Sequence, residues 1–323
     1  MLKDSYGRIH NTLRISVTDR CNFRCFYCKP AEGVTWNSRN DILSFEEITR
    51  LVRIFAELGI NKVRLTGGEP LLRMSIEKLI QRFSKIKGIQ KIGITTNGYR
   101  LEEMTDALKQ SGLTLLNVSL DTLREYRFKE ISGLGNSPLY RVLSGIEKAI
   151  NAGFDEVKIN TVVIKGFNDD EILDFVDFAK DKDVHLRFIE FMPFFSNGWH
   201  EEKYIPNEKV KRKIQRSYKL FPLFDGSNIA VNYTIAGHKA KVGFVSSNSA
   251  PFCRDCSRLR LTADGKLKLC LFDDSDYDLK NLLRKGADDV VISAFIRGCI
   301  MLKWEGRGAG SPVFSNVMTK IGG

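Results

Sequence analysis

The chain has 323 residues, 43% of them hydrophobic and 28% charged, a balance that fits a folded, water-soluble protein and excludes disordered, collagen-like and coiled-coil chains. A formal charge of +11, from 50 Lys and Arg against 39 Asp and Glu, favours anionic partners, yet no block of five or six like charges marks a nucleic-acid-binding tail. No run reaches the ~18 apolar residues of a membrane span, and Met1 to Arg14 lacks an apolar leader, so a cytoplasmic protein of about two domains, or one barrel-sized domain with an extension, is expected.

Six apolar, β-branched-rich runs predict strands at Leu13–Val17, Val63–Thr66, Ile92–Thr96, Leu115–Leu120, Val157–Ile164 and Leu186–Phe191. Segments of helical period separate them. The first carries Ser44 and Glu47 at capping-box spacing, an apolar face of Ile48, Leu51, Val52, Phe55 and Leu58, and Gly59 as its stop. Leu139, Val142, Leu143, Ile146 and Ile150 form a second face, and Ile172, Leu173, Val176 and Ala179 a third after Asn168. Six βα units predict a parallel sheet, doubly wound or curled toward a barrel, with ligands at the C-terminal strand ends.

Beyond Asn207 the texture changes to a short basic amphipathic helix over Lys209–Arg216, then alternating runs at Ile229–Ile235 and Lys241–Val245. Arg258–Thr262 and Leu267–Leu271 flank Asp264-Gly265, a strong hairpin signal. A smaller C-terminal region therefore starts near residues 207–225, giving expected parts 1–220 and 221–323. Helical sequence follows around Leu282–Leu302, and a Gly-rich tail from Gly306.

Seven cysteines are too few for a disulfide scaffold and point to metal or redox chemistry. Immediately after the first strand stands Cys21-Asn-Phe-Arg-Cys25-Phe-Tyr-Cys28. Three thiolates this close can hold a cubane iron–sulfur cluster while leaving one iron for a small chelating molecule. Structural zinc wants a fourth ligand, and only His10 lies near in sequence. A second set, Cys253-Arg-Asp-Cys256 with Cys270, can converge through the hairpin. It reads either as half a zinc ribbon completed by a distant His238, or as a second open-iron cluster. Arg258 and Arg260 alternate beside it, facing either the thiols or solvent. Cys299, in an apolar helical context, predicts a buried thiol.

The first triplet's spacing resembles that of the radical S-adenosylmethionine (radical SAM) superfamily. Gly67-Gly68-Glu69-Pro70 after the second strand agrees, its glycines allowing close backbone approach to a ligand. So do the polar strand ends Thr95-Thr96-Asn97 and Ser119-Leu120-Asp121. The resemblance narrows to the GTP 3′,8-cyclase family of molybdopterin biosynthesis on Leu13-Arg-Ile-Ser-Val-Thr-Asp-Arg-Cys21, Val63-Arg-Leu-Thr-Gly-Gly-Glu-Pro70, Val157-Lys-Ile-Asn160, Arg187-Phe-Ile-Glu-Phe-Met-Pro193, the Phe252–Arg260 segment with Cys270, and Ile321-Gly-Gly323.

That resemblance implies an incomplete (β/α)6 TIM-like barrel with a C-terminal auxiliary-cluster extension. Cys21, Cys25 and Cys28 would hold one [4Fe-4S] cluster, with Tyr27, Gly68, Ser119 and Met192 contacting SAM. Cys253, Cys256 and Cys270 would hold a second [4Fe-4S] cluster. Arg14, Arg64, Thr95, Lys158, Arg258, Leu259 and Arg260 would bind GTP, with the first three cysteines, Arg258 and Arg260 acting in catalysis. The implied reaction removes the ribose C3′ hydrogen of GTP by a 5′-deoxyadenosyl radical and closes a C3′–C8 bond. The implied partners are an electron donor, the next enzyme of the pathway and a second copy in a homodimer, with neither membrane nor nucleic acid. Rival readings are another radical SAM enzyme acting on a peptide or small molecule, and a zinc-stabilised nucleic-acid-binding protein. Three features depart from the family pattern: Lys29 stands where Met is usual, Asn316 near an expected Arg, and Gly133–Pro138 reads as an insertion.

Overall fold

The alternation of apolar runs and amphipathic stripes becomes one wide mixed sheet flanked by helices in the computed structural model, which describes residues 1–28, 36–135, 138–194, 197–226 and 229–307. Lys29, Asn316 and the Ile321–Gly323 end lie outside the described residues. In chain order come β1 (Leu2–Lys3), β2 (Ile9–His10), β3 (Thr12–Ser16), α1 (Phe45–Glu57), β4 (Lys62–Thr66), α2 (Ile76–Ser84), β5 (Lys91–Thr96), α3 (Leu101–Gln110) and β6 (Leu115–Ser119). Then follow α4 (Glu125–Ser132), α5 (Leu139–Asn151), β7 (Glu156–Val163), α6 (Ile172–Ala179), β8 (His185–Glu190), α7 (Asn207–Gln215), β9 (Leu220–Leu223), β10 (Val231–Ile235) and β11 (Lys241–Val245). The last elements are β12 (Arg258–Leu261), β13 (Lys266–Lys268), β14 (Tyr277–Asp278), α8 (Leu279–Arg284) and α9 (Asp289–Met301).

All six expected core strands form, as β3 to β8, each parallel to the next. This is the incomplete (β/α)6 barrel. An incomplete barrel leaves two edges of unpaired backbone groups, and the C-terminal segment covers both. β12 pairs parallel to β3 on one side and β11 parallel to β8 on the other. Antiparallel strands finish the sheet, giving the order β14-β13-β12-β3-β4-β5-β6-β7-β8-β11-β10-β9. The outermost strand β9 contains Pro222, which an edge tolerates because no ladder donor is needed there.

Alternation along the strands sorts the side chains. Leu13, Ile15, Val63, Leu65, Ile159, Leu259 and Leu261 are fully buried in a hydrophobic layer shared with the helices. Arg14, Arg64, Lys158, Arg258 and Arg260 occupy the alternate positions, facing the barrel interior. In α1 the capping box closes as expected, Glu47 N donating to Ser44 Oγ at 3.1 Å and Ser44 N to Glu47 Oε2 at 2.7 Å. Ile48, Leu51, Val52 and Phe55 are buried, each worth ~1.5–3 kcal/mol against exposure.

Three details differ from expectation. The helical stretch near the end is two helices, because Gly286 takes φ +79° and Asp288 caps α9 by accepting from Val291 N. The run Leu267–Leu271 stops pairing at Lys268, since the Leu269 carbonyl is taken by the Lys303 ammonium. Asn168 precedes α6 without capping it; its amide joins the Asp121 and Val162 carbonyls at 2.7 and 2.9 Å.

Gly265 makes the β12–β13 turn at φ +82°, where a Cβ would sit 2.6 Å from Lys280 Cβ. Gly265→Ala should cost ~1–3 kcal/mol, read as a lower urea midpoint with an unchanged m value.

Candidate active site

The first cysteine loop is held at the C-terminal end of the barrel by backbone as much as by side chains. Gly68 N donates to Thr18 O and Glu69 N to Arg20 O, both at 2.7 Å. A Cβ on Gly67 would lie 2.5 Å from Thr18 O, and one on Gly68 2.2 Å from Arg20 O. The two glycines therefore admit the backbone leading into Cys21, the close approach that the sequence had suggested for a ligand. Glu69, buried below them, accepts from Thr96 Oγ1 at 2.6 Å, Asn97 N at 2.7 Å and Leu71 N at 3.0 Å, which ties the ends of β4 and β5 together. Burial pushes its carboxyl up to about 7.

Aromatic side chains within the cysteine loop grip four neighbours. Phe23 packs edge-on against Tyr99 and Phe128, and Phe26 against Phe167. The Tyr27 phenol donates to Asp121 at the end of β6. Burial pushes the Tyr27 hydroxyl well above its ordinary range, with Asp121, Cys25 and Cys28 adding to the shift. Asn97 Nδ2 lies 3.8 Å from Cys21 Sγ. Gly68, Ser119 and Met192 follow or end the parallel strands β4, β6 and β8, and so lie at the same, C-terminal end of the barrel.

Inside the barrel, strand register sets cations beside one another. Arg260 of β12 pairs with Arg14 of β3, and Arg14 with Arg64 of β4. Arg64 faces Gly93, where a Cβ would meet its guanidinium carbon at 2.9 Å, and it donates to Ile94 O at 3.1 Å. Across the barrel, Lys158 pairs with His185 and Asn160 with Arg187. Burial, then mutual repulsion, lowers these groups: Arg14 well below its ordinary range, Arg64 and Arg260 to about 10, Lys158 to about 8. Among the described residues, Thr95 Oγ1, Asn117 Oδ1, Asn160 Oδ1 and Arg187 Nε are buried without hydrogen-bond partners. Buried polar atoms are normally satisfied, so a polar, anionic ligand suits this interior.

The second cysteine set lies where β12 begins. None of the seven cysteines is in a disulfide; Cys253, Cys256 and Cys270 are half-buried and Cys299 is buried as expected. Continuing the Arg260–Lys268 register brings Cys270 level with Arg258. Burial raises the Cys256 thiol, but the charges of Arg258 and Lys303 outweigh it and leave the thiol below its usual range. Arg260 and Arg307 also feel the charges of this set. Thiolates with cations around them are the donor set that a net-negative, three-thiolate iron–sulfur cluster requires. His238 is not a fourth ligand: it packs edge-on against Tyr218 in the β10–β11 turn, facing Lys180 and Asp177. His10 is engaged by Asp4 at 3.0 Å.

The register settles which way Arg258 and Arg260 face: toward Arg14 and the thiols, with Arg260 buried. Leu259 points its side chain into the apolar layer on the other face, so only its backbone can reach a ligand. Lys158 is engaged by Glu156 on its own strand. Residues that sequence reasoning missed are Arg8, Lys303 and Glu190. Arg8 donates to Cys253 O at 2.9 Å and Trp304 O at 2.7 Å, and pairs with Asp4 at 2.6 Å. Glu190 accepts from Asn207 N, Asn248 N, Ser249 N and Ser249 Oγ, fastening the loop before the second cysteine set to β8. Lone charges carry no local sequence signal, whereas the aromatics Phe23 and Phe26, spaced between the cysteines, could have been read as its packing.

Residues 15–179 match the family model described as the Radical SAM superfamily, and residues 184–307 the one described as Molybdenum Cofactor Synthesis C. The chain is 45% identical over 308 residues to the GTP 3′,8-cyclase of Thermodesulfovibrio yellowstonii, covering 94% of this chain and 95% of that one. It is 43% identical over 304 residues to the GTP 3′,8-cyclase of Moorella thermoacetica, covering 94% of each. Over 309 residues it is 44% identical to molybdenum cofactor biosynthesis protein 1 of Dictyostelium discoideum, covering 94% of this chain but spanning 49% of that longer protein. The crystal structure of Streptococcus suis SuiB bound to S-adenosylmethionine shares the fold at a TM-score of 0.63 and 19% identity, over 98% of this chain and 78% of that one. With cysteine loop, barrel and C-terminal extension all matched, the chain belongs to the GTP 3′,8-cyclase family of radical SAM enzymes.

Proposed function

We propose that the two cysteine sets and the cations between them form one reaction chamber for GTP. Family membership implies a [4Fe-4S] cluster with SAM and, from the relatives' names, GTP as substrate. Cys21, Cys25 and Cys28 hold that cluster, and Tyr27, Gly68, Ser119 and Met192 line the SAM side. Cys253, Cys256 and Cys270 would hold a second [4Fe-4S] cluster, which would supply an open iron for the guanine. When bound, SAM would supply, with one electron passed through its cluster from the electron donor, a 5′-deoxyadenosyl radical able to take the C3′ hydrogen of GTP as 5′-deoxyadenosine; closing the C3′–C8 bond would then take one further electron and a proton at the purine.

The observation that carries this reading is the buried row Arg260, Arg14, Arg64 in direct strand register. It begins beside Cys256 and runs under the C-terminal strand ends. Arginines hold phosphate oxygens bidentately, and a buried array gains more from a polyanion than a solvated one. Arg14, Arg64, Lys158, Arg258 and Arg260 therefore grip the triphosphate and fix the ribose, while Thr95 and the Leu259 backbone supply neutral contacts. Fixed geometry and exclusion of water are the protein's main contributions, because a primary radical attacks whatever lies nearest. Residues 1–220 carry the SAM half and 221–323 the auxiliary half. An electron donor, the next pathway enzyme and a second copy of the chain are the partners, in a reducing cytoplasmic setting. Among the described residues no helix is long and apolar enough to cross a membrane.

Replacing Cys253, Cys256 and Cys270 together by Ser should abolish GTP cyclisation and halve the reconstituted iron while the first cluster still cleaves SAM; full cyclisation by that variant contradicts the second site. The pH profile supplies a separate check. Lys158 and Lys62 are both lowered to about 8, first by burial and then by neighbouring arginines. Each is charged below that pH and neutral above it, so kcat/KM for GTP should fall as pH rises through ~8. In Lys158→Arg the fall should be shallower, with Lys62 alone left to titrate; an identical profile in the two proteins contradicts the assignment.

A further inference from the structure

Glu156 opens β7 on the barrel's interior face, two residues before Lys158, and its side chain is 35% exposed while that of Lys158 is 8% exposed. Its carboxylate makes an ion pair with the Lys158 ammonium and lies 3.5 Å from His185 Nδ1. The same negative charge acts on Lys62, Arg64 and Arg187. One carboxylate is thus shared by five basic groups in the lower barrel, with Asp225 adding its charge at Arg187 alone. The sequence offered no role for it.

We propose that Glu156 is a place-holder for the terminal phosphate of the substrate, occupying the cation cluster until a polyphosphate displaces it. This rests on the GTP reading above and names a specificity residue for that site. The cations Lys158 and Arg64, buried, and Lys62 and Arg187, half-buried, repel one another, so the ligand-free fold gains from a negative charge among them. A carboxylate carries one charge and two oxygens, fewer than a terminal phosphate offers to Lys158 and Arg64. A phosphate arriving at Lys158 meets the like charge of Glu156 already in contact with it. A nucleotide long enough to engage the remaining cations outcompetes the carboxylate; one lacking the last phosphate leaves the Lys158–Glu156 pair intact. Because Glu156 is partly exposed, its side chain can swing to solvent when displaced.

A purely structural ion pair and a place-holder differ in what removing the charge does to binding. Glu156→Gln keeps the shape of the side chain. In the reconstituted holoenzyme, the Kd for GTP by calorimetry should tighten about tenfold, with a smaller gain for GDP and none for GMP. Its ligand-free Tm should fall, and inorganic tripolyphosphate should raise the Tm further in the variant than in the parent, since the added anion then restores the missing charge. If Glu156→Gln folds poorly, Glu156→Asp, which shortens the reach to Lys158, should show the same order of gains at reduced size. Weaker GTP binding in either variant, or equal changes for GTP, GDP and GMP, overturns the proposal. If the parent holoenzyme itself binds no GTP, the functional reading fails instead, and the two failures are told apart by that control.

Discussion

Parallel pairing of β12 with β3 is the contact on which the rest of the arrangement depends. It covers an edge that an incomplete barrel would leave open, and it sets Arg260 against Arg14 in register. A slip of β12 by one residue would turn Arg258 and Arg260 into the apolar layer and Leu259 toward the interior, leaving Arg14 without its neighbour. The same strand begins two residues after Cys256, so the register also determines how far the second cysteine set stands from the barrel axis. Arg8 and Lys303 reinforce that placement from the other side, by binding main-chain carbonyls at Cys253, Arg258 and Leu269.

The interior is built against its own stability. Arg14, Arg64, Arg260 and Lys158 each lose hydration and repel one another. Folding tolerates this because each β-strand simultaneously buries Leu, Ile and Val on its outer face, and because Glu156 supplies countercharge at the lower end. Such an array favours an anionic occupant over an empty chamber. The Cys256 thiol uses the same field, since Arg258 and Lys303 favour the thiolate that metal ligation needs, whereas burial pushes the Cys253 thiol up.

Much of this was legible in the sequence. The six core strands, the first helix with its capping box, the Asp264-Gly265 hairpin and both cysteine sets announce themselves through period, turn chemistry and spacing. Strands β1 and β2 are two residues each, too short to have a period, and β9 hides behind a proline that would disqualify a central strand. The facing of Arg258 and Arg260 needed a register, which depends on a partner more than two hundred residues away. Arg8 and Lys303 act through tertiary contacts and read as ordinary surface charges, while Glu190 stood in a segment that the resemblance marked without a role of its own. Gly67 and Gly68 were recognised as close-approach positions, and the backbone of residues 18–20 is what packs against them where a Cβ would otherwise stand.

The central claim is that this fold carries two open-iron clusters at opposite ends of one cation-lined chamber. Iron, acid-labile sulfide and zinc per chain, measured after anaerobic reconstitution, test it most directly. About eight irons with matching sulfide and no zinc is the predicted result. About four irons would remove the second cluster and with it the anchor for guanine, and zinc without sulfide would contradict the account altogether.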